Sequence, residues 1–358
     1  MKNKKIKVFL LLSLMLLPFI PKNACAYSEI PIGAFFYVWY GYNSTLNSWS
    51  GGNGTSHWND GGANIVTDYP IFGYYSSIHN VTLSNQITLM KSVGIDFAII
   101  SWWGENHITN NATINVFKWL EDNGTDFKVC LIVEPYEGIN YTEVYNFVYL
   151  NLVEPYEAWY MNFKDKPLLF FFNPVYEDFY KDNRFNVYVV GNPPNNVDLV
   201  FWKGMDCLDA YGGVENIEWY SGNPVINNDG VVSIVPKYDD KLMYDVGARE
   251  TFMQFDGSLT KGLYLKEWNY VIRNKDYVKM VLIYSWNEYH ERTAIEPHID
   301  YSTGKSQDYL LQQTEYYIKQ FESYETPQKM VNFGLEFYGV VIGCAVLLAI
   351  AGIIKKNI

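Results

Sequence analysis

The chain has 358 residues, enough for one large domain, with 27 Lys and Arg set against 39 Asp and Glu for a formal charge of −12. So acidic a surface repels nucleic acid, which is bound largely through Lys and Arg neutralising phosphate. Four cysteines are too few for a disulfide framework.

Residues 1–26 read as a secretory signal. Lys2, Lys4, Lys5 and Lys7 precede the apolar run Val8 to Ile20, and Ala24-Cys25-Ala26 is a small-x-small cleavage site. Removing them takes away five lysines and no acid, which brings the charge to −17. Six Asn-x-Thr/Ser sequons follow, at Asn43, Asn53, Asn80, Asn111, Asn123 and Asn140. Behind a signal peptide they suggest a glycosylated exterior.

Ile32 to Tyr40 is a first strand, β-branched and aromatic without alternation, as expected of burial on both faces. Residues 41–75 are rich in Gly, Asn and Ser, a length usual for functional loops; His57-Trp58 within them reads as an ordinary packed pair. A helix at Ser84 to Val93 leads to a second strand, Asp96 to Trp103. A helix at Ile114 to Leu120 leads to a third, Lys128 to Val133, which ends in Glu134-Pro-Tyr136. After a helix over Tyr141 to Val153, strands are expected at Leu168 to Phe172, Val187 to Val190, Leu199 to Trp202 and Val231 to Val235. Residues 206–228 are loop-like and carry Asp209, Tyr211, Glu215 and Trp219. An amphipathic helix, Thr260 to Asn274, precedes the apolar run Met280 to Tyr284, and Asp308 to Ser323 is a closing helix.

Strands alternating with helices are the signature of a parallel sheet. Eight of them over roughly 300 residues predict an α/β fold of the (β/α)8, TIM-like barrel type. The alternative, a doubly wound open sheet, lacks a Gly-rich phosphate turn after the first strand. The barrel is expected over residues 27–325, followed by a tether at 326–336. Residues 337–354 carry no charge and are just long enough to cross a hydrocarbon core as a transmembrane helix. Lys355 and Lys356 place the tail, 355–358, on the cytoplasmic side. The sequence thus predicts a single-pass protein of the cell membrane with its ectodomain outside.

The stretch after the last strand carries the chemistry. Met280 to Tyr284 stops at Ser285-Trp286-Asn287, and Glu288 and Glu291 follow with His290 between them. A buried strand delivering acids to its C-terminal end places them at a barrel mouth. If the turn is helical, their i,i+3 spacing puts both carboxylates on one side. Two acids so held suit glycosidic bond cleavage; the same pattern also suits the start of a solvated helix, whose N-terminal dipole favours acids. The other strand ends contribute Tyr37, Trp39 and Tyr40, then Trp102 and Trp103, then Glu134 and Tyr136. Aromatic rings offer flat faces to a pyranose, although in a chain that is 18% aromatic core packing competes at every position. There is no Gly-x-Ser-x-Gly elbow and no zinc spacing among the five histidines. A metal role for His290 is less favoured than one beside a carboxylate or a leaving-group oxygen, and no cofactor is expected.

The order of these motifs resembles glycoside hydrolase family 99. The resemblance rests on Phe35 to Gly41 (Phe-Phe-Tyr-Val-Trp-Tyr-Gly), His57-Trp58, Gly73 to Ser77, Gly94 to Gly104, Ile132 to Tyr136, Ser285 to Glu291 and Ile295-Glu296. It covers the strand ends over most of residues 31–300, while residues 140–230 match poorly. The family motif Asn-Glu-Trp-His-Glu-Gly-Thr-Gln-Ile-Glu stands here with Tyr289, Arg292 and Ala294 in place of Trp, Gly and Gln. The resemblance implies a (β/α)8 endo-α-mannosidase or endo-α-mannanase that retains anomeric configuration and needs no metal. It implies Glu288 as the base that helps the substrate's own 2-hydroxyl attack the anomeric carbon, and Glu291 as the acid. Tyr37, Tyr40, Trp102, Trp103, Glu134 and Tyr136 would line sugar subsites, with Asn287 and His290 beside them. An α-glucan hydrolase and a non-catalytic glycan-binding surface protein are the alternatives.

Overall fold

The computed structural model describes residues 30–41, 57–58, 66–175, 178–191, 207–208 and 224–325. The stretches expected to be a signal segment, a tether, a 337–354 helix and a tail, the strand expected at Leu199 to Trp202, Asn43, Asn53 and the four residues singled out between 209 and 219 lie outside these. Among the described residues no helix is long and apolar enough to cross a membrane. From Pro31 on they belong to one compact unit.

Eight parallel strands build it: β1 Ile32–Phe36, β2 Phe97–Trp102, β3 Lys128–Val133, β4 Lys166–Phe172, β5 Asn186–Val190, β6 Cys207–Leu208, β7 Val231–Ile234 and β8 Met280–Ile283. Ladders join them in the order β6-β5-β4-β3-β2-β1-β8-β7. Every ladder is parallel. The first strand therefore lies between the second and the eighth, and β6 and β7 at the two ends of the path come beside one another. This curled sheet has the cyclic strand order of a (β/α)8 barrel. All C-terminal ends face one way, so the segments after β1, β2, β3, β7 and β8 share a mouth.

Strands β2, β7 and β8 are buried at every position, as expected where both faces are covered. Gly33 is required in β1, because a Cβ there would lie 2.3 Å from the Phe97 ring. Helices α1 Asn80–Ser92, α2 Ile108–Asn123, α3 Tyr141–Val148, α4 Lys241–Asp245, α5 Leu263–Arg273 and α6 Tyr309–Ser323 complete the order. Helix α5 packs on β7, and its Trp268 stacks on Tyr317 of α6, which joins the last two helices.

Three differences from expectation have physical causes. The β1 ladder ends at Phe36 rather than Tyr40, because the Tyr37 N–H and C=O bond the Asn287 side chain instead of a neighbouring strand. Helix α2 begins six residues earlier than apolar periodicity indicates. Its first turns bury Thr109, Asn110 and Thr113, whose polar atoms are paired, and the His107 imidazole caps the start. Strand β6 falls inside the stretch read as loop; at two residues it carries no apolar run to mark it.

Candidate active site

The segment from Tyr284 to Pro297, after β8, is an irregular loop and not the helical turn that the Glu288/Glu291 spacing suggested. It folds back on itself: Thr293 N–H bonds Glu288 O (3.1 Å), and Ser285 N–H bonds Thr293 O (3.2 Å). Arg292, with φ 56°, takes the left-handed turn that the family motif gives to glycine. The Tyr284–Ser285 peptide bond is cis. Backbone bonds to Phe35 O and Asp239 N hold the loop to β1 and to the segment after β7.

Asn287 is the clamp. Its Oδ1 accepts from Tyr37 N–H (2.8 Å), while its Nδ2 donates to Tyr37 O (2.9 Å) and to the Tyr75 hydroxyl (3.1 Å). The clamp fixes Tyr37 among three acids. Burial pushes the Tyr37 hydroxyl well above its ordinary titration range, and the charges of Glu288, Glu134 and Glu291 push it further. The carboxylates that follow β3 and β8 thus act electrostatically on the phenol that follows β1.

The three glutamates are held differently. Glu134 accepts from Ser101 Oγ (2.7 Å); burial raises it to about 7 against the lowering effect of that bond, with the Glu291 charge adding to the rise. Glu288 accepts from the His290 N–H (2.9 Å) and is raised well above the carboxylate range by burial, then by Glu291. Glu291 accepts from the Tyr284 hydroxyl at Oε2 (2.7 Å) and from Arg249 Nη2 at Oε1 (2.5 Å). The Tyr37 hydroxyl in turn donates to that of Tyr284 (3.0 Å), so one chain of bonds links Tyr37 to Glu291.

The aromatic candidates separate into two groups. Tyr37 packs on Trp39 (4.6 Å), which also meets His57 (4.1 Å), His290 (6.3 Å) and Trp103 (6.4 Å). Among the described residues the indole N–H groups of Trp39 and Trp103 are buried and meet no hydrogen-bond acceptor, two donors that a ligand oxygen could satisfy. Tyr136 is half-buried, and Gly104 lets its ring approach to 2.9 Å from where a Cβ would stand. Tyr40 and Trp102 sit behind the site. Tyr40 stacks on Trp58 (4.0 Å) and donates to Asn287 O (2.8 Å). Trp102 turns to the helix layer, stacked on Phe147 and bonded to Asn110. His290 Nδ1 stands 3.5 Å from Glu288, its Nε2 against His57 O.

Sequence reasoning missed Tyr284, Arg249, Tyr238 and Asp240. Tyr284 lay in the apolar run and was read as its last strand residue; Arg249 has no local signal at all. Glu296 is also buried, accepting from Tyr75 (2.7 Å) and Tyr289 (2.8 Å), and burial raises it to about 7 against those bonds. It anchors the loop from behind.

Among the described residues one group has the donors and spacing to hold a metal: Asp68, His298 and Asp300. Two cations already lie on it. Lys237 Nζ is 2.5 Å from Asp300, and Arg292 bonds Asp68, Asp239 and Asp300 (3.0, 3.0 and 2.7 Å). Burial lowers His298, favouring its neutral form. A recess of about 560 Å³ opens beside Arg292, walled by Asp68, Leu242, Asp300 and Tyr301 and by neither glutamate of the pair.

Set against known proteins, the fold is glycoside hydrolase-like. A protein described as glycoside hydrolase-like matches with a TM-score of 0.52 at 14% identity, over 82% of this chain and 94% of its own. More particularly, the structure is similar to the GH99 endo-α-mannosidase from Bacteroides thetaiotaomicron. Two structures of that enzyme, one in complex with bis-tris-propane, match with TM-scores of 0.62 and 0.61, each at 19% identity over 83% of this chain and 98% of the enzyme. At that identity the likeness is one of fold. No protein-family model matches the sequence, and no curated protein is similar to it at a significant level.

Proposed function

We propose that the protein is a retaining, endo-acting glycoside hydrolase of α-mannoside-type glycans, tethered to the cell surface by residues 337–354. The observation that carries this reading is the hydrogen-bond chain from Tyr37 through Tyr284 to Glu291, with Glu288 buried in the same loop, at the strand ends of a fold shared with an endo-α-mannosidase. Glu288, buried beside a second acid, is the base that takes the proton of the sugar's 2-hydroxyl as that oxygen attacks the anomeric carbon. Glu291 protonates the leaving oxygen and then activates water. Because the nucleophile belongs to the substrate, the pair is not bound by the carboxylate separation of ordinary retaining enzymes. Tyr37, Trp39, Trp103 and Tyr136 offer ring faces and N–H donors to the sugars; Tyr40, Trp102 and Asn287 hold those groups in place. The tether and the outward orientation rest on the uncharged stretch, the terminal lysines and the signal-like start.

An array of defined α-mannosides and α-glucans, with product size and anomeric configuration followed by NMR, tests the proposal. Internal cleavage of α-mannosides with retention supports it. Cleavage of α-glucans alone turns it to the α-glucan reading, and binding without products to a glycan-binding surface protein.

A further inference from the structure

Both oxygens of Glu291 already accept a hydrogen bond, from Tyr284 at Oε2 and from Arg249 at Oε1. The guanidinium blocks a proton at Oε1, since an N–H cannot accept it, and its charge favours the ionised carboxyl. An acid that must protonate a leaving oxygen has to lose one of these donors first. They differ in how they are fixed. Tyr284 is buried, with the Tyr37 hydroxyl behind it. Arg249 comes from the segment after α4, a third of its side chain exposed, and its other nitrogen rests on Tyr238 (2.7 Å) and Asp240. It can leave Oε1 and keep that second anchor.

Resting on the hydrolase reading, we propose that Arg249 is a positioning residue that keeps Glu291 a carboxylate in the free protein, and that a sugar on the leaving-group side displaces it, whereupon the proton of the pair passes from Glu288 to Glu291. One proton moves between two carboxyl groups and no electrons change hands. The result is Glu288 as base and Glu291 as acid. The groups that face the pair are Arg249, Tyr238 and Asp240 from beyond β7, Tyr37 from β1, Glu134 from β3, and Tyr284 and His290 from the β8 loop. The charge balance agrees. Burial lowers Arg249, yet Glu291, Tyr238 and Asp240 outweigh it and keep the guanidinium charged, while burial and the Glu291 charge favour the protonated form of Glu288.

Infrared difference spectra of the full chain, reading the protonated carboxyl stretch near neutral pH, test this. In the wild-type background Glu288→Gln removes a protonated-carboxyl band and Glu291→Gln removes none. In an Arg249→Gln background Glu291→Gln removes such a band, and Arg249→Lys restores the wild-type pattern. Adding an α-linked mannobiose to the wild type moves the band from Glu288 to Glu291. Loss of a band on Glu291→Gln in the ligand-free wild-type background overturns the proposal, and this comparison needs no Arg249 variant to fold. So does an unchanged pattern in Arg249→Gln. A protein with the expected spectra that hydrolyses no glycan overturns the hydrolase reading and leaves the Arg249–Glu291 lock standing.

Discussion

Asn287 holds Tyr37 by both of its backbone polar groups, across 250 residues of sequence. The two bonds end the β1 ladder and hold Tyr37 where its hydroxyl meets Tyr284, which in turn bonds Glu291. Asn287 thereby joins the first and last strand ends of the sheet.

Asn287→Ala strips partners from a buried N–H and a buried C=O, each costing about 1–3 kcal/mol when left unpaired. The expected loss of stability is about 2–4 kcal/mol, read from the urea midpoint.

Tyr284→Phe removes the donor at Glu291 Oε2 and the acceptor of the Tyr37 hydroxyl while keeping the ring in its packing. Glycan hydrolysis should fall by about 100- to 1,000-fold, by analogy with the loss of one oriented donor. Stability should change by about 1 kcal/mol. Comparing kcat with the urea midpoint separates the two effects.

Arg292→Gly sets two effects against each other. Glycine relieves a left-handed residue, a gain of about 1–2 kcal/mol. It also removes the guanidinium from Asp68, Asp239 and Asp300, leaving Lys237 as the cation on Asp68 and Asp300, and breaking buried pairs costs about 3–5 kcal/mol. The loss is the larger, so the variant should be less stable by about 2 kcal/mol.

Glu134 and Glu296, raised to about 7, make stability depend on pH. Their protonated forms are favoured in the folded protein, so their contribution is full below the unfolded carboxylate range and is lost as pH rises through about 7. Asp300 works the other way, lowered by Lys237 and Arg292 against burial, and its contribution is lost only in strong acid. Between about pH 5 and pH 8 the urea midpoint should therefore fall as pH rises, and Glu134→Gln with Glu296→Gln should reduce that slope to the part that Glu288, also raised, supplies.

The strands were legible because runs such as Phe97 to Trp102 and Met280 to Ile283 are apolar on both faces, and the glutamate pair because it follows such a run at once. The same double burial hid which aromatics face the mouth: Trp102 and Trp103 are neighbours, and only packing on Phe147 shows that the first points away. Arg249 reaches Glu291 across 42 residues from a segment with no periodicity, and no local pattern announces such a contact. The i,i+3 spacing of the pair suggested a helix where the chain forms a loop closed by Ser285 and Thr293.

Glycan turnover by Glu291→Gln beside the wild type, with binding of the same oligosaccharide measured by calorimetry, tests most directly whether these acids form a hydrolytic site. The variant should bind within a few-fold of wild type while its turnover falls by about a thousandfold, the scale of a lost general acid. Turnover undiminished in Glu291→Gln, or a wild type that binds the oligosaccharide and never cleaves it, would contradict the account.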